Sequence, residues 1–273
     1  MIASLADAWN SQCPPQYALD PADVDRLLIQ SPYLVALSGD SIVKSGAHAD
    51  VCHLSLIGMD CDLPRLLEEL GQRGWRKVIF GADRDHVLPG CPTEYMELTL
   101  KLQKAGFVTG PQVVDLEADL RALELPAALS EVKVARPDDT AQMEVFLDRC
   151  FPGRWRSDVG RKMMQEPDEI DLLWLDGEVA GFSMTQSPQS SYPISGAVWR
   201  SHLGEDWRAL GPIGLAPEWR GKGLGGDLLR SSLARMKAEG GRRCLIDWTT
   251  LVDFYGKYGF KVTRRYQMMS HPA

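Results

Sequence analysis

Four glycines fall within six residues of this chain, Gly221, Gly223, Gly225 and Gly226. They separate an apolar run that reads as a strand, residues 210–215, from an apolar-striped segment, residues 224–238, that reads as a helix. Pro217-Glu218-Trp219 supplies a turn between them. Glycines at this position leave backbone N–H groups uncovered, and the helix N-terminus adds positive potential, so the stretch is built to receive an anion. Arg220 and Lys222 place two cations beside it. The expectation is a phosphate-bearing cofactor bound between residues 213 and 226.

Two cofactor families use such a loop. Gly221-x-Gly223-x-x-Gly226, with Asp247 about 20 residues on, fits the dinucleotide fingerprint. That fingerprint starts where its strand ends, but here Ala216 to Arg220 intervene. It also needs more strand–helix units after the acidic residue than residues 248–273 can hold. The second pattern is Arg220-x-x-Gly223-x-Gly225, followed by a strand-like run at 243–247 and then Phe254-Tyr255-Gly256-Lys257-Tyr258-Gly259-Phe260. In order and near-spacing this resembles the acyl-CoA pyrophosphate loop, (Gln/Arg)-x-x-Gly-x-(Gly/Ala), and the Phe-Tyr-x-x-x-Gly-Phe segment of the GNAT superfamily of N-acetyltransferases.

The resemblance implies an α/β, layered α+β architecture: two GNAT-like units, each built on its own mixed, largely antiparallel central sheet flanked by helices. It implies acetyl-CoA as co-substrate and a primary amine, on a small molecule or a protein, as acceptor. Ile213, Gly214 and Leu215 would align the pantetheine, and a backbone N–H there would polarise the thioester carbonyl. Arg220, Gly221, Lys222, Gly223, Leu224, Gly225 and Gly226 would hold the pyrophosphate. Tyr255 would be the general acid that protonates the departing thiolate. Many family members carry a glutamate on the strand entering the loop, but Ala209 and Leu210 stand there. The base candidates left are Glu205, Asp206 and, at the end of the next strand, Asp247. The missing strand acid keeps open a second reading, a non-catalytic acyl-CoA sensor. A nucleotide-dependent oxidoreductase is a third.

Short matches recur between the halves in the same order. Residues 54–59 (LSLIGM) resemble 210–215 (LGPIGL), 74–80 (GWRKVIF) resemble 241–247 (GRRCLID), and 104–107 (KAGF) resemble 257–260 (KYGF). Between the first two matches the first copy is shorter by about one Gly loop and the first turns of its helix. Leu102 falls where Tyr255 lies. The chain therefore reads as a tandem: residues 1–125 a degenerate, non-catalytic unit, residues 131–273 the acetyl-CoA-binding unit, and residues 120–130 the linker. The first unit is expected to pack on the second, shape the acceptor cleft or mediate a homodimer.

Other strand-like runs cover 32–38, 41–46 and 51–59, with Gly39-Asp40 as a turn, and Asp176-Gly177 marks a hairpin. Residues 186–199 are ambiguous. A net charge of −7 argues against nucleic-acid and anionic-membrane partners. No 18-residue apolar run predicts a membrane span, and the N-terminus lacks the basic and apolar regions of a leader. Six cysteines without a Cys-x-x-Cys pair suit a reducing, cytoplasmic setting. His48, Cys52, His53 and Cys61 match no zinc spacing, so no metal is expected. Trp199, Trp207 and Trp248, near strand ends, are candidates for an aromatic wall around the amine.

Overall fold

The computed structural model describes residues 2–38, 40–85, 87–191 and 197–272. Gly39 of the expected turn, and residues 192–196 of the ambiguous segment, lie outside the described residues. The first half runs α1 (Ile2–Gln12), α2 (Pro21–Val24), β1 (Leu34–Leu37), β2 (Ser41–Ser45), β3 (Val51–Ile57), α3 (Leu63–Gln72), β4 (Lys77–Phe80), β5 (Cys91–Pro92), α4 (Met96–Lys104) and β6 (Val108–Asp119). The second runs β7 (Val132–Val134), α5 (Thr140–Cys150), α6 (Arg154–Gln165), β8 (Ile170–Leu175), β9 (Glu178–Gln186), α7 (Arg200–Leu203), β10 (Trp207–Leu215), α8 (Leu224–Ala238), β11 (Arg243–Thr249), α9 (Val252–Gly256) and β12 (Lys261–Pro272).

The sheet is mixed and largely antiparallel as expected, but instead of one sheet per unit a single sheet runs through both halves in the order β1-β2-β3-β4-β12-β6-β11-β10-β9-β8-β7, because the units share their last strands. Among the described strands only β3–β4 and β10–β11 pair in parallel. A parallel pair needs a crossover, and α3 and α8 supply the two. The sequence matches at 54–59/210–215 and 74–80/241–247 are these two β-α-β units. A doubly wound dinucleotide fold is excluded, because such a sheet is mostly parallel.

The halves exchange their last strands. β6 follows α4 of the first half but pairs with β11 of the second. β12 follows α9 of the second half but pairs with β4 of the first. β6 and β12 then pair with each other along the middle of the sheet. An apolar core under the first half includes Trp207, Ala209 and Leu245 from the second, so packing is continuous across the centre. On the other side, Leu229, Leu233 and Met236 of α8 bury against Leu116, Ala118 and Leu120 around β6. Each such side chain contributes roughly 1.5–3 kcal/mol by burial.

Residues 120–131 hold one 3-10 turn, Leu120–Ala122, and are pinned along α8. The Lys237 ammonium donates to the Arg121 and Leu123 carbonyls, and the Ser130 hydroxyl donates to Asp227. No described helix is long and apolar enough to cross a membrane.

Candidate active site

The site starts where β10 and β11 part. They pair from Trp207/Arg243 to Ala209/Leu245 and no further, although β10 continues to Leu215 and β11 to Thr249. On its other edge β10 stays bonded to β9 through Ile213, Gly214 and Leu215, with a bulge between Leu210 and Ile213. The edge of residues 210–215 that faces β11 therefore carries backbone polar groups with no strand partner.

Two cavities open along this split. The larger, about 740 Å³, is lined by Ile213, Gly214, Leu215, Arg220, Gly221, Gly223, Gly225 and Gly226, with Phe254, Tyr255 and Tyr258 opposite. The smaller, about 510 Å³, lies between Leu210–Ile213 and the end of β11, and holds Asp247, Trp248, Arg154 and Asp158. Trp155, Ile213, Leu251 and Tyr255 line both. Tyr255 thus stands at the junction.

The glycine loop has the form an anion site requires. Gly221 and Gly223 have φ of +75° and +83°, in the left-handed region that favours glycine. Gly223 caps α8. Among the described residues the N–H groups of 221–225 find no acceptor; the next two, of Gly226 and Asp227, bond to the Gly223 carbonyl. Five unpaired donors at a helix N-terminus fit a pyrophosphate in charge and in hydrogen-bonding type. A Cβ on Gly226 would come 2.3 Å from the Tyr258 hydroxyl, so that glycine lets α8 approach the Phe-Tyr segment.

The two cations differ in placement. Arg220 lines the larger cavity, with Nε donating to the Leu215 carbonyl at 3.1 Å. Lys222 sits over the Trp219 ring at 4.4 Å and, like Leu224, is not part of the cavity wall.

Tyr255 is 3% exposed and packs against Phe254 and Phe260. Burial, then the charge of Asp247, then Cys244 push its phenol well above the ordinary range. It stays protonated at any working pH, as an acid must.

The smaller cavity joins charge to aromatic surface. Arg154 Nε meets Asp158 at 3.2 Å, and its guanidinium lies 5.3 Å from the centre of the Trp248 ring. The same guanidinium donates to the Asp83 and Arg84 carbonyls of the first half. Burial raises the Asp158 carboxyl, and Arg154 opposes that rise.

Of the three base candidates, Asp247 lines the smaller of these two cavities, and Glu205 and Asp206 line neither. Glu205 and Asp206 are exposed at the start of β10, the end away from the split. Of the expected aromatic wall, Trp248 is there. Trp199 and Trp207 are instead buried in the first half's core, because their elements pack inward over that side of the sheet. The sequence reading missed Trp155, Arg154 and Asp158; on an amphipathic helix they look like surface residues.

Among the described residues the first half has no equivalent loop. Its helix α3 begins Leu63-Pro64, and the Asp62 carboxylate accepts from the Arg65 N–H. The helix N-terminus therefore carries its own negative charge and one N–H fewer. Lys101 donates to the Met59 and Cys61 carbonyls at 2.8 and 2.5 Å, and with Leu63 and Pro64 it lines a cavity of about 480 Å³ that no glycine loop borders. Leu102, at the position of Tyr255, is buried. His48, Cys52, His53 and Cys61 do not converge; His53 Nδ1 instead pairs with the Gly81 carbonyl. Among the described residues no three metal-type side chains gather.

Residues 140–260 match the family described as "Acetyltransferase (GNAT) family". The second half is a GNAT-family domain. The first half, with its matching β-α-β unit, is GNAT-like. Acyl-CoA-dependent acetyl transfer is the general chemistry of that family. Solved structures agree in fold. The chain superimposes on the glucosamine N-acetyltransferase region of a fungal multi-domain GH3 β-N-acetylglucosaminidase with a TM-score of 0.85 at 18% identity. That match covers 98% of this chain and 36% of the fungal one, so this chain spans about a third of its length. A GCN5-related N-acetyltransferase from Sphaerobacter thermophilus matches with a TM-score of 0.67 at 14% identity, over 99% of this chain and 90% of that one. A tandem GNAT protein from the clavulanic acid biosynthesis pathway gives 0.63 at 13% identity, over 99% and 92%. The sequence has no significant match among curated proteins.

Proposed function

We propose that this protein is an N-acetyltransferase that moves the acetyl group of acetyl-CoA to a primary amine in a ternary complex, using one site per chain. The observation that carries the reading is the junction: two cavities meet at Tyr255, one walled by an anion-binding loop and the other by carboxylates and tryptophans.

The N–H groups of residues 221–225, with Arg220, hold the pyrophosphate, and Lys222 adds to the positive field at the loop. The free edge of Ile213, Gly214 and Leu215 aligns the pantetheine. Acetyl-CoA, when bound, supplies the thioester that the amine attacks. A backbone N–H of the free β10 edge stabilises negative charge building on the carbonyl oxygen. Asp247 takes one proton from the acceptor ammonium, leaving a neutral nucleophile. As nitrogen bonds to the acetyl carbon and the C–S bond breaks, Tyr255 gives its proton to sulfur. The second proton of the nitrogen leaves through solvent and restores Tyr255. The net products are the amide, the thiol and one proton.

An ordinary phenol is a weaker acid than a thiol by roughly 2 kcal/mol. Burial beside Asp247 weakens it further. Tyr255 therefore cannot ionise first; it donates only as charge develops on sulfur.

The smaller cavity, with Asp247 and Asp158 beside Trp155 and Trp248, suits a cationic amine with some apolar body. The first half then contributes structure to the acceptor side, not a second cofactor site. The test is thiol release from acetyl-CoA across a panel of primary amines, glucosamine and peptide amines among them. Turnover on any member supports the reading. Acetyl-CoA binding with no turnover on the whole panel points instead to an acyl-CoA sensor.

A further inference from the structure

A charged group that the proposed reaction leaves unused sits at the seam where the first half's last strand enters the second half's sheet. β6 pairs with β11 through Leu116/Ile246 and Val114/Thr249. Between these pairs one residue of β6, Asp115, faces two of β11, Asp247 and Trp248. That is a bulge, the usual device for re-aiming a side chain next to a site. Trp248 adopts φ +47°, a strained value for an aromatic residue.

Asp115 is fully buried and carries the bulge. Its Oδ1 accepts from the Trp248 N–H at 3.1 Å. Its Oδ2 accepts from Trp199 Nε1 at 3.1 Å and from the Tyr266 hydroxyl at 2.7 Å. Three donors around one carboxylate fix its plane, and through Trp248 they fix the end of β11 that lines the acceptor cavity.

We propose that Asp115, supplied by the first half, is a positioning residue of the acceptor site that sets the direction and the proton affinity of Asp247. This rests on the acetyl-transfer reading of the same site.

Asp115 faces Asp247 on β11, Tyr266 and Arg264 on β12, and Tyr17 on the 3-10 turn Pro15–Tyr17, which is itself bonded to Glu94. Asp247 faces Tyr255 on α9, and shares its cavity with Arg154 and Asp158 of α6. Arg264 is the cation close to Asp115, but its guanidinium is engaged by Glu117, by the Gln16 carbonyl and by the Trp199 face. Burial and Asp247 together push the Asp115 carboxyl up to about 7. Two acids that feel each other's charge this strongly titrate as a pair. A negative Asp115 makes Asp247 a stronger base, which is what removal of an ammonium proton demands.

The experiment uses the full chain and Asp115→Asn, which keeps an acceptor for the Trp248 N–H and deletes the charge. Without the like charge, Asp247 titrates at lower pH. Carboxyl ¹³C NMR of aspartate-labelled protein, with Asp247 assigned through Asp247→Asn, is expected to show that midpoint falling by at least half a pH unit. The acid limb of kcat/KM moves with it, and acetyl-CoA affinity stays within twofold. Asp115→Ala, which also frees the bulge, should lower kcat/KM a further tenfold or more. An unchanged Asp247 midpoint in a folded Asp115→Asn protein overturns the proposal, whatever the activity. A shifted midpoint in a protein that acetylates no amine sinks the acetyl-transfer reading and leaves the coupling standing.

Discussion

Replacing Tyr255 by phenylalanine removes one oxygen atom from the junction of the two cavities. Its hydroxyl has no hydrogen bond within the described residues, so no protein donor or acceptor is orphaned. The ring contacts with Phe254 at 5.0 Å and Phe260 at 6.1 Å persist. Stability should therefore change by no more than about 0.5 kcal/mol. Catalysis should not be spared. A positioned general acid contributes about 10²–10⁴ in rate, and without it the thiolate must leave unprotonated. The expected result is kcat down by that factor and an unchanged acetyl-CoA dissociation constant, read by thiol release and calorimetry. Because the phenol is pushed so high, the wild-type rate should show no alkaline limb from Tyr255 up to pH 10 or so. A Phe variant within threefold of wild-type kcat would refute the reasoning and return Tyr255 to a packing role.

Other consequences follow from single positions. Gly223→Ala forces a side chain into φ +83°, which costs about 1–2 kcal/mol; acetyl-CoA affinity should fall about 5- to 30-fold in calorimetry, with the rest of the fold intact. Lys44 is fully buried, 2.6 Å from Asp85 and 3.4 Å from Asp83. Lys44→Met strands those carboxylates and should cost about 3–5 kcal/mol, a drop of roughly 6–15 °C in Tm; a change under 2 °C would contradict this. Asp115 makes stability depend on pH. With its folded carboxyl at about 7 against 3.8 ordinarily, its contribution is present below pH 4 and lost as pH rises through 7. Urea midpoints of wild type should therefore fall relative to Asp115→Asn between pH 4.5 and 8, and a constant difference would contradict the burial argument.

The glycine loop and the Phe-Tyr segment were legible in the sequence because both are local: φ requirements and a helix N-terminus are written in consecutive residues. The β-α-β repeat was legible for the same reason, since each apolar run and its helix lie within about 30 residues. The strand exchange was not. Residues 107–116 read as a closing strand or hairpin, but nothing local tells which edge such a strand joins. The role of Asp115 depends on that exchange. Its one local signal is a lone carboxylate inside Val113-Val114-Asp115-Leu116, the pattern of an acid that must be paired when buried. Arg154 and Asp158, spaced i and i+4, read as an exposed helix pair until the fold turns that face toward Trp248. Trp199 and Trp207 misled in the opposite direction: proximity to a strand end does not decide which side of the sheet a ring takes.

Calorimetric titration of the full chain with acetyl-CoA, with NADH as control, tests the central claim most directly. The account predicts one acetyl-CoA per chain and no NADH, because the loop at 221–225 has free donors, while the α3 N-terminus has no glycine loop and carries the Asp62 carboxylate and Pro64 instead. Two molecules per chain would contradict the assignment of the first half, and no binding at all would contradict the acetyltransferase reading itself.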